Sequence, residues 1–300
     1  MSQGIERSGG EIRPTEVSKA GASTSRQIVV YFVTVFTLTW GVAAVLLASP
    51  SFLTQRFGPV RVDTPFYAGA FFLAVWVPSL TGFVLTAHYA GRAGLRELVS
   101  RIVRWRVGLW ALYVLVGIPL FYLVTDWILY AVLQWPQGSP HYSLYLSGWI
   151  VALGHGAILL DPGPIGEEVG WRGFAFPRLL QVMPFWRAEL VLGTLWGLWH
   201  IPAFYIAATG QSTLSMGWFI LGAICLSFVM GTVYVGTGGS VLFAGFVVHY
   251  FANQLPDLGG KIVVEVVRFA LLAAVLSWIG RGTRRGRATH RPLEQLATSD

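Results

Sequence analysis

The chain has few of the charged residues that soluble proteins carry on their surface. Only 12% of its 300 residues are charged, whereas 54% are hydrophobic and the mean hydropathy is +0.60. A soluble domain carries about 25% charged residues. Apolar runs recur along the chain, and a helix of about 20 apolar residues crosses the roughly 30 Å of membrane hydrocarbon. The composition therefore excludes an ordinary soluble domain and predicts an all-α, polytopic membrane protein.

The sequence also has a single cysteine and lacks the zinc-protease motif HExxH. The single cysteine, Cys225, allows no internal disulfide, and no HExxH motif occurs. The net charge of +7 would suit a nucleic-acid partner, but the arginines cluster beside the apolar runs, as they do next to membrane spans. We therefore expect no nucleic acid as a partner, whereas no oligomeric state follows from the sequence.

Eight predicted spans organise the chain. A polar segment, 1–26, is expected to be a disordered cytosolic N-terminus, a single transmembrane domain fills 27–280, and 281–300 is expected to form a basic cytosolic tail. The predicted spans are 27–49, 66–90, 107–134, 144–176, 188–208, 216–236, 240–256 and 261–280.

The positions of Lys and Arg predict an orientation for these spans. With the N-terminus inside, 16 of the 21 Lys and Arg lie in inner segments, 3 lie in outer segments and the rest lie within spans. Because positive residues accumulate on the cytosolic side, we expect a multi-pass plasma-membrane protein with both termini in the cytosol. Segment 91–106, which holds five of the arginines, predicts either an amphipathic helix on the inner leaflet or a basic loop.

The fourth predicted span combines a helix breaker with charged residues. The Asp-Pro-Gly-Pro sequence at 161–164 should break or kink a helix, and broken backbone at membrane depth is tolerated only in a wet cavity or inside protein. Directly afterwards, GEEVGWRGF places Glu167, Glu168 and Arg172 in an apolar stretch. Ionisable residues at this depth mark functional sites. The fold prediction is therefore a bundle with a kinked fourth span and an intramembrane polar cavity.

Two histidines in later spans fall at a similar depth to the glutamates. With a helical rise of 1.5 Å per residue, Glu167, His200 and His249 lie roughly 15–20 Å from the inner surface, so we expect them nearer the cytosolic side. His249 and Asn253 are four residues apart and share one helix face. Matched depth on three helices predicts a shared site.

Spacing also separates the two glutamates. Glu168 and Arg172 are four residues apart and are predicted to pair, which leaves Glu167 available for another task. A carboxylate can take a proton from water, and nearby donors can stabilise an oxyanion, which together suit peptide hydrolysis. The same chemistry allows a divalent metal such as Zn²⁺, held by Glu167, His200 and His249.

Other interpretations remain open from the residues alone. A broken helix with buried carboxylates also suits an ion- or proton-coupled transporter, and the same helices could serve a non-enzymatic immunity or scaffold protein. Asp126 is isolated in the third span and is expected to line the cavity. Glu265 and Arg268 are expected to form a structural pair near the outer surface, and the Trp-rich stretch 196–199 is expected to serve packing.

Three segments resemble, in order, the motifs of the CPBP family of intramembrane proteases, which includes CAAX proteases and bacteriocin-processing (Abi) proteins. GEEVGWRGF resembles the EExxxR motif. WGLWHIPAF, at 196–204, resembles the second motif, an aromatic residue followed four residues later by His, although family members often have Phe where this chain has Trp196. TGGSVLFAGFVVHYFAN, at 237–253, resembles the third, HxxxN. The resemblance covers residues 145–255.

The resemblance implies a glutamate-type or metal-dependent endopeptidase whose intramembrane site opens toward the cytosol and accepts a peptide or membrane-protein substrate. Glu167 would activate water with help from His200, while His249 and Asn253 would stabilise the oxyanion and the neighbouring Glu–Arg pair would organise the site. The implied catalytic residues are Glu167, Glu168, Arg172, His200, His249 and Asn253.

Overall fold

The chain folds as a bundle of helices. The computed structural model describes residues 14–48, 50–132, 161–254 and 262–294. The helices are α1 (Pro14–Ala48), α2 (Pro50–Phe57), α3 (Pro65–Ile102), α4 (109–132), α5 (162–182), α6 (Phe185–Trp199), α7 (Met216–Gly236), α8 (242–254) and α9 (Ile262–Glu294). Within α4, α5 and α8, π-helical turns occur at Tyr113–Gly117, Ile128–Val132, Val169–Ala175 and Leu242–Val247.

Five of these helices are long and apolar enough to cross a membrane. The candidate spans, judged by length and composition, are Ser23–Ala48, Pro65–Ile102, Leu109–Trp127, Met216–Gly236 and Ile262–Arg281. The predicted class, an all-α polytopic membrane protein, is confirmed. The count of eight spans stays a prediction, since α6 has only 15 residues and α8 is a shorter apolar helix.

The first and last helices extend beyond the predicted spans. α1 begins at Pro14, inside the segment 1–26 for which disorder is predicted, and α9 continues to Glu294 rather than ending near residue 280. Adding a residue to an existing helix gains a hydrogen bond without the cost of nucleation. The polar residues next to an apolar span therefore join its helix. Residues 1–13 and 295–300 lie outside the described ranges.

The arginine-rich segment after the second span is a helix rather than a loop. Gly91 leaves the helical region with φ 56° and ψ −152°, which separates residues 92–102 from the membrane-spanning part of α3. In this terminal part Leu98 is fully buried while Val99 is exposed, so the helix is amphipathic. Arg101 donates to the hydroxyl of Tyr234 across 3.1 Å, and this hydrogen bond connects the terminal part of α3 to α7.

The Asp-Pro-Gly-Pro sequence stands at the start of a helix. Asp161 is the N-cap residue of α5, and its carboxylate accepts a hydrogen bond from the Gly163 N–H at 3.0 Å. Asp is favoured at this position and Pro at the first helical residue. In the described part of the predicted span 144–176, the break corresponds to a helix start at residue 162, and this helix continues to 182. Residues 144–160 lie outside the described ranges.

α5 lies at the centre of the bundle. Every side chain from 166 to 176 is buried, and the glycine at 170 lets the backbone of α5 approach α3 closely. A Cβ atom at Gly170 would lie 2.3 Å from both the carbonyl oxygen of Pro78 and the hydroxyl of Tyr31. Ser79 adds a hydrogen bond to the carbonyl of Ile165 at 2.7 Å. This close packing of small residues fixes the helix that carries both glutamates.

The two ends of the bundle differ in composition. At one end, here called the arginine end, residues 92–106 of α3 and the loop after it meet the end of α5 and the turn 237–241, with Arg178 bonded to Gln27 at 2.9 Å. At the other end, the loop end, segments 50–64 and 201–215 meet through an isolated bridge between Arg61 and Ala207. α7 joins the two ends and, with 21 residues, is about 31 Å long.

Candidate active site

The predicted Glu–Arg pair forms inside the protein. The Nη1 atom of Arg172 lies 3.0 Å from each carboxylate oxygen of Glu168, and both side chains are completely buried. Glu168 also accepts a hydrogen bond from Nδ1 of His249, at 2.9 Å from its Oε1 atom. A buried ion pair is tolerated when further hydrogen bonds satisfy it. Glu168 is therefore committed to two partners and holds α5 to α8.

Glu167 has different surroundings from its neighbour. Its Oε2 atom accepts a hydrogen bond from the indole N–H of Trp196 at 2.7 Å, and its side chain lines a cavity of about 360 Å³. Oε1 lies on the side of Gly163, 3.7 Å from where a Cβ of that residue would be. One carboxylate thus faces a cavity, while the next one along the helix is enclosed in protein.

Four of the predicted site residues meet at this cavity. Glu167 from α5, His200 from the end of α6, and His249 and Asn253 from α8 all line it. The other two, Glu168 and Arg172, lie behind this wall. The structure therefore brings the six residues together in two layers, one facing the cavity and one supporting it. Their catalytic roles remain a prediction.

The hydrogen bonds of the histidines define which ring nitrogen carries a proton. Nδ1 of His200 lies 2.8 Å from the carbonyl oxygen of Trp196. Because a carbonyl only accepts, Nδ1 must donate, and the neutral ring presents an unprotonated Nε2. His249 uses Nδ1 toward the Glu168 carboxylate, so its Nε2 is also left for the cavity. The unprotonated Nε2 of a neutral ring, as in His200, can accept a proton or bind a metal.

Trp196 contributes more than the packing predicted for it. Besides donating to Glu167, its ring lies edge-on to His249 with centroids 5.2 Å apart and lies 4.6 Å from the guanidinium carbon of Arg172. Its position four residues before His200 was visible in the sequence, but the partner of its N–H was not. The indole links the cavity layer to the supporting layer.

Asp161 is a residue that sequence reasoning did not assign to the site. One carboxylate oxygen caps α5, and the other accepts a hydrogen bond from Nδ2 of Asn253 at 3.1 Å. Asp161 also lines the cavity. It therefore orients the Asn253 amide and leaves one of its two N–H groups for other partners. The signal in the sequence was an Asp directly before Pro at a helix start.

A second missed group lies behind the Glu–Arg pair. Ser227 of α7 accepts from Nη2 of Arg172 at 3.2 Å and donates to Oε2 of Glu189 at 2.6 Å. Glu189 is completely buried, and its Oε1 has no hydrogen-bond partner among the residues that the structure describes. The sequence analysis did not single out Glu189, which lies two residues after Arg187 at the start of a predicted span. It instead extends the buried network to α6 and α7.

A second cavity shares part of the same wall. It has a volume of about 520 Å³ and lies between α6, α7, α8 and α9, with apolar side chains such as Leu226 and Phe269 around it. His200, His249 and Asn253 line both cavities, whereas Glu167 lines only the first. The two histidines and the asparagine therefore form a partition between two chambers.

The expectation for Asp126 is wrong. Its carboxylate pairs with Arg268 inside the bundle, and it lines neither of the two cavities. The pairing partner is 142 residues away, which hid it from local spacing. The predicted pair of Glu265 and Arg268 forms, with an N–O distance of 2.9 Å, so Arg268 serves two carboxylates.

The site lies closer to the loop end than to the arginine end. The ring of Phe219 lies 5.0 Å from His200 and is near the start of α7, whereas Tyr234, which binds Arg101, is near its end. These two positions of α7 are about 22 Å apart. The prediction that the site lies nearer the inner, arginine-rich side is therefore wrong, because the depth of Glu167 was counted without knowing that α5 begins at Pro162.

The first cavity also reaches the surface at the loop end. Its lining includes Ala208, Gly210 and Gln211 of the loop end, of which the first two are exposed. Two sequence-based expectations thus exclude each other. Either both termini are cytosolic, or the site opens toward the cytosol, since the arginine end and the cavity lie at opposite ends of the bundle.

A metal would meet an unfavourable neighbour here. Ligand atoms of Glu167, Glu168 and His249 lie within 4.8 Å of one another, a set that replaces His200 of the predicted zinc ligands by Glu168. Glu168 already binds Arg172 through both oxygens. A cation in this group would have to compete with the guanidinium and lie beside its charge. The donor set fits a divalent ion poorly.

Comparison with known proteins agrees with the motifs. Residues 149–255 match the family model for "Type II CAAX prenyl endopeptidase Rce1-like". A similar relative is "CAAX prenyl protease 2" of Methanococcus maripaludis, which is 26% identical over 121 residues. That match covers 37% of this chain and 44% of the relative, so the chain spans less than half of the relative's length. Over residues 149–255, the chain is therefore similar to the CPBP/CAAX proteases, in the segment that also carries the three motifs.

Proposed function

We propose that this protein is an intramembrane endopeptidase in which Glu167 activates the attacking water. The observation that carries the proposal is the division between the two adjacent glutamates. Glu168 is held by Arg172 and His249, whereas Glu167 faces a cavity and accepts a hydrogen bond from Trp196 at Oε2. A general base needs an accessible acceptor within reach of water, and Glu167 meets that requirement.

The reaction would begin with water between Glu167 and the scissile carbonyl. Glu167 takes a proton from the water, and the oxygen forms a bond to the carbonyl carbon while the carbonyl π bond breaks to an oxyanion. The unprotonated Nε2 of His200 would accept a hydrogen bond from the same water and hold it in line. This assistance follows from the bond between Nδ1 and the carbonyl of Trp196.

His249 and Asn253 would stabilise the oxyanion as donors. The bond from Nδ1 of His249 to Glu168 supports a positively charged ring, whose Nε2–H can donate. Asn253 has one N–H on Asp161 and a second one to offer. The intermediate then collapses as the C–N bond breaks, and the proton on Glu167 passes to the leaving amine. The balance closes with one water consumed and no covalent enzyme intermediate.

The test is cleavage of a peptide library by purified protein, compared with the Glu167→Gln variant by mass spectrometry. We expect new carboxyl termini with the wild-type protein and none above background with the variant. Equal cleavage by both proteins would contradict the proposal. Loss of activity with a chelator and its return with Zn²⁺ would replace the metal-free mechanism by a metal-dependent one.

A further inference from the structure

We propose that the site faces the outside of the cell membrane, so that its substrate is an exported or membrane-anchored polypeptide segment presented at the outer surface. The word substrate rests on the proposed protease function, but the orientation does not. The inference combines two observations made above, the positions of the arginines and the end at which the cavity reaches the surface.

The two ends of the bundle differ in their content of Lys and Arg. The loop end holds Arg56 and Arg61, and Arg61 forms an ion pair with Asp63 with an N–O distance of 2.7 Å. The arginine end gathers Arg92, Arg96, Arg104 and Arg106 with its other basic residues. Because the bias of Lys and Arg sets membrane orientation, the arginine end belongs on the cytosolic side.

Tryptophan–arginine neighbours support the same assignment. Trp105 is 65% exposed with the Arg106 guanidinium 5.1 Å from its ring, and Trp186 is 54% exposed with the Arg187 guanidinium 4.9 Å from its ring. Exposed Trp beside Arg suits a membrane interface with anionic lipid. Both neighbours lie at the arginine end, where the exposed Trp side chains mark a membrane interface and the arginines beside them favour the inner leaflet.

The route to Glu167 leads to the opposite end. The first cavity is lined by loop-end residues including Val62, Ile206 and Gln211, and its described lining contains no residue of 92–106 or 176–187. On the arginine side of the site α5 is packed shut, since all side chains of 166–176 are buried. Leu98 closes against Gly173, where even a Cβ atom would lie 2.8 Å from it.

The position of the cavity opening determines the side of the membrane from which a substrate can reach the site. A cytosolic chain end would have to cross about 22 Å of helix length, from the level of Tyr234 to the level of Phe219, to reach the histidines. A segment at the outer surface enters directly past Gln211 and Asn253, whose amides can bond an extended peptide backbone. The site therefore suits cleavage of a polypeptide close to the outer surface of the membrane.

The orientation can be tested by cysteine labelling in the full-length chain. Cys225→Ser removes the single native cysteine, and a cysteine is then introduced at Thr213 of the loop end or at Gln181 of the arginine end, both exposed. A membrane-impermeant maleimide is added to intact spheroplasts and, separately, to permeabilised ones. We expect Thr213→Cys to react in both and Gln181→Cys to react only after permeabilisation.

Labelling of Gln181→Cys in intact spheroplasts, or of Thr213→Cys only after permeabilisation, would overturn the proposal. Arg61→Cys and Trp105→Cys, also exposed at the two ends, repeat the comparison where a first variant fails to fold. A peptide substrate added to sealed vesicles then tests the site itself. Cleavage by right-side-out vesicles is expected, and cleavage only by inverted vesicles would contradict the orientation. No cleavage by either, with labelling as expected, would refute the protease function and leave the orientation standing.

Discussion

The indole N–H of Trp196 donates to Oε2 of Glu167 across 2.7 Å. This bond joins the second family motif to the first and ties the carboxylate of α5 to α6. One oxygen is therefore fixed in place while the other is left on the side of Gly163. The orientation of the proposed base is thus a property of two helices rather than of one.

Glu167→Gln should abolish most of the activity without unfolding the protein. The amide keeps the size of the side chain but cannot take a proton from water, and general bases contribute about 10²–10⁴-fold to rate. We expect a loss of at least ~10²-fold in kcat/KM, measured with any peptide that the wild-type protein cleaves. Glu97→Gln changes an exposed glutamate at the arginine end and should retain the wild-type rate.

Trp196→Phe should lower activity while leaving the aromatic packing in place. A hydrogen bond to a charged group contributes roughly 1.5–3 kcal/mol, and each 1.36 kcal/mol corresponds to a tenfold change in rate. The hydrogen bond is also present in the resting enzyme, so only part of its free energy stabilises the transition state. We therefore expect a loss of about tenfold in kcat/KM.

Trp40→Phe is the matched control for that variant. Its indole N–H donates to the carbonyl of Trp199 at 3.3 Å, so the change removes one indole hydrogen bond between helices without touching Glu167. If kcat/KM fell to a similar degree in both variants, the loss would come from a missing hydrogen bond between helices and not from the contact of Trp196 with Glu167.

Glu168→Gln should act mainly through stability. It leaves the fully buried guanidinium of Arg172 without its charged partner, and breaking a buried ion pair costs about 3–5 kcal/mol. Thermal unfolding in detergent should show a lower midpoint than wild type. The double variant Glu168→Gln with Arg172→Met should be less destabilised than the sum of the single changes. Additive losses would mean that the two side chains are not coupled.

Gly231→Ala should destabilise the bundle through Glu189. A Cβ atom at this position would lie 1.5 Å from Oε1 of Glu189, and the carboxylate cannot move freely because it is buried and bonded to Ser227. Overpacking of this kind costs about 1–3 kcal/mol. The measurement is the midpoint of thermal unfolding.

Gly222→Ala on the same helix provides the comparison. There the nearest atom to a new Cβ is in Val266 at 3.4 Å, an ordinary contact. Replacing Gly by Ala inside a helix gains roughly 0.5–1 kcal/mol, so Gly222→Ala should be neutral or slightly stabilising. If both variants lose the same stability, contact with Glu189 is not the reason.

The parts of the site that the sequence predicted are those governed by spacing within one helix. The pairing of Glu168 with Arg172 follows from a separation of four residues, and similar depth correctly suggested that Glu167, His200 and His249 meet. Asp126 shows the limit, since its partner Arg268 lies on a helix far along the chain. Local spacing carries no information about which distant helices touch.

Depth failed for a different physical reason. A rise of 1.5 Å per residue measures distance along a helix, but it does not say where the helix begins. Asp161 and Pro162 were interpreted as a break within a long span, whereas they cap the start of α5. Because these residues cap the start of α5, Glu167 lies near one end of that helix, at the loop end of the bundle. Glu189 was not predicted for a related reason. Its position near Arg187 in the sequence does not show that α7 packs over its side chain.

The cavity has walls of two origins. Its reacting groups come from α5, α6 and α8, which lie within the segment that matches the family, whereas α1 and α3 supply the facing wall outside that segment. The residues of that facing wall include Thr39, Val42, Ala43, Leu46, Tyr67, Ala70 and Phe71. Under the proposed function, the groups that handle the proton lie within that segment, whereas part of the surface that would contact the substrate lies outside it. Substitutions along α1 and α3 can change which polypeptide segment fits, while the groups that handle the proton stay where they are.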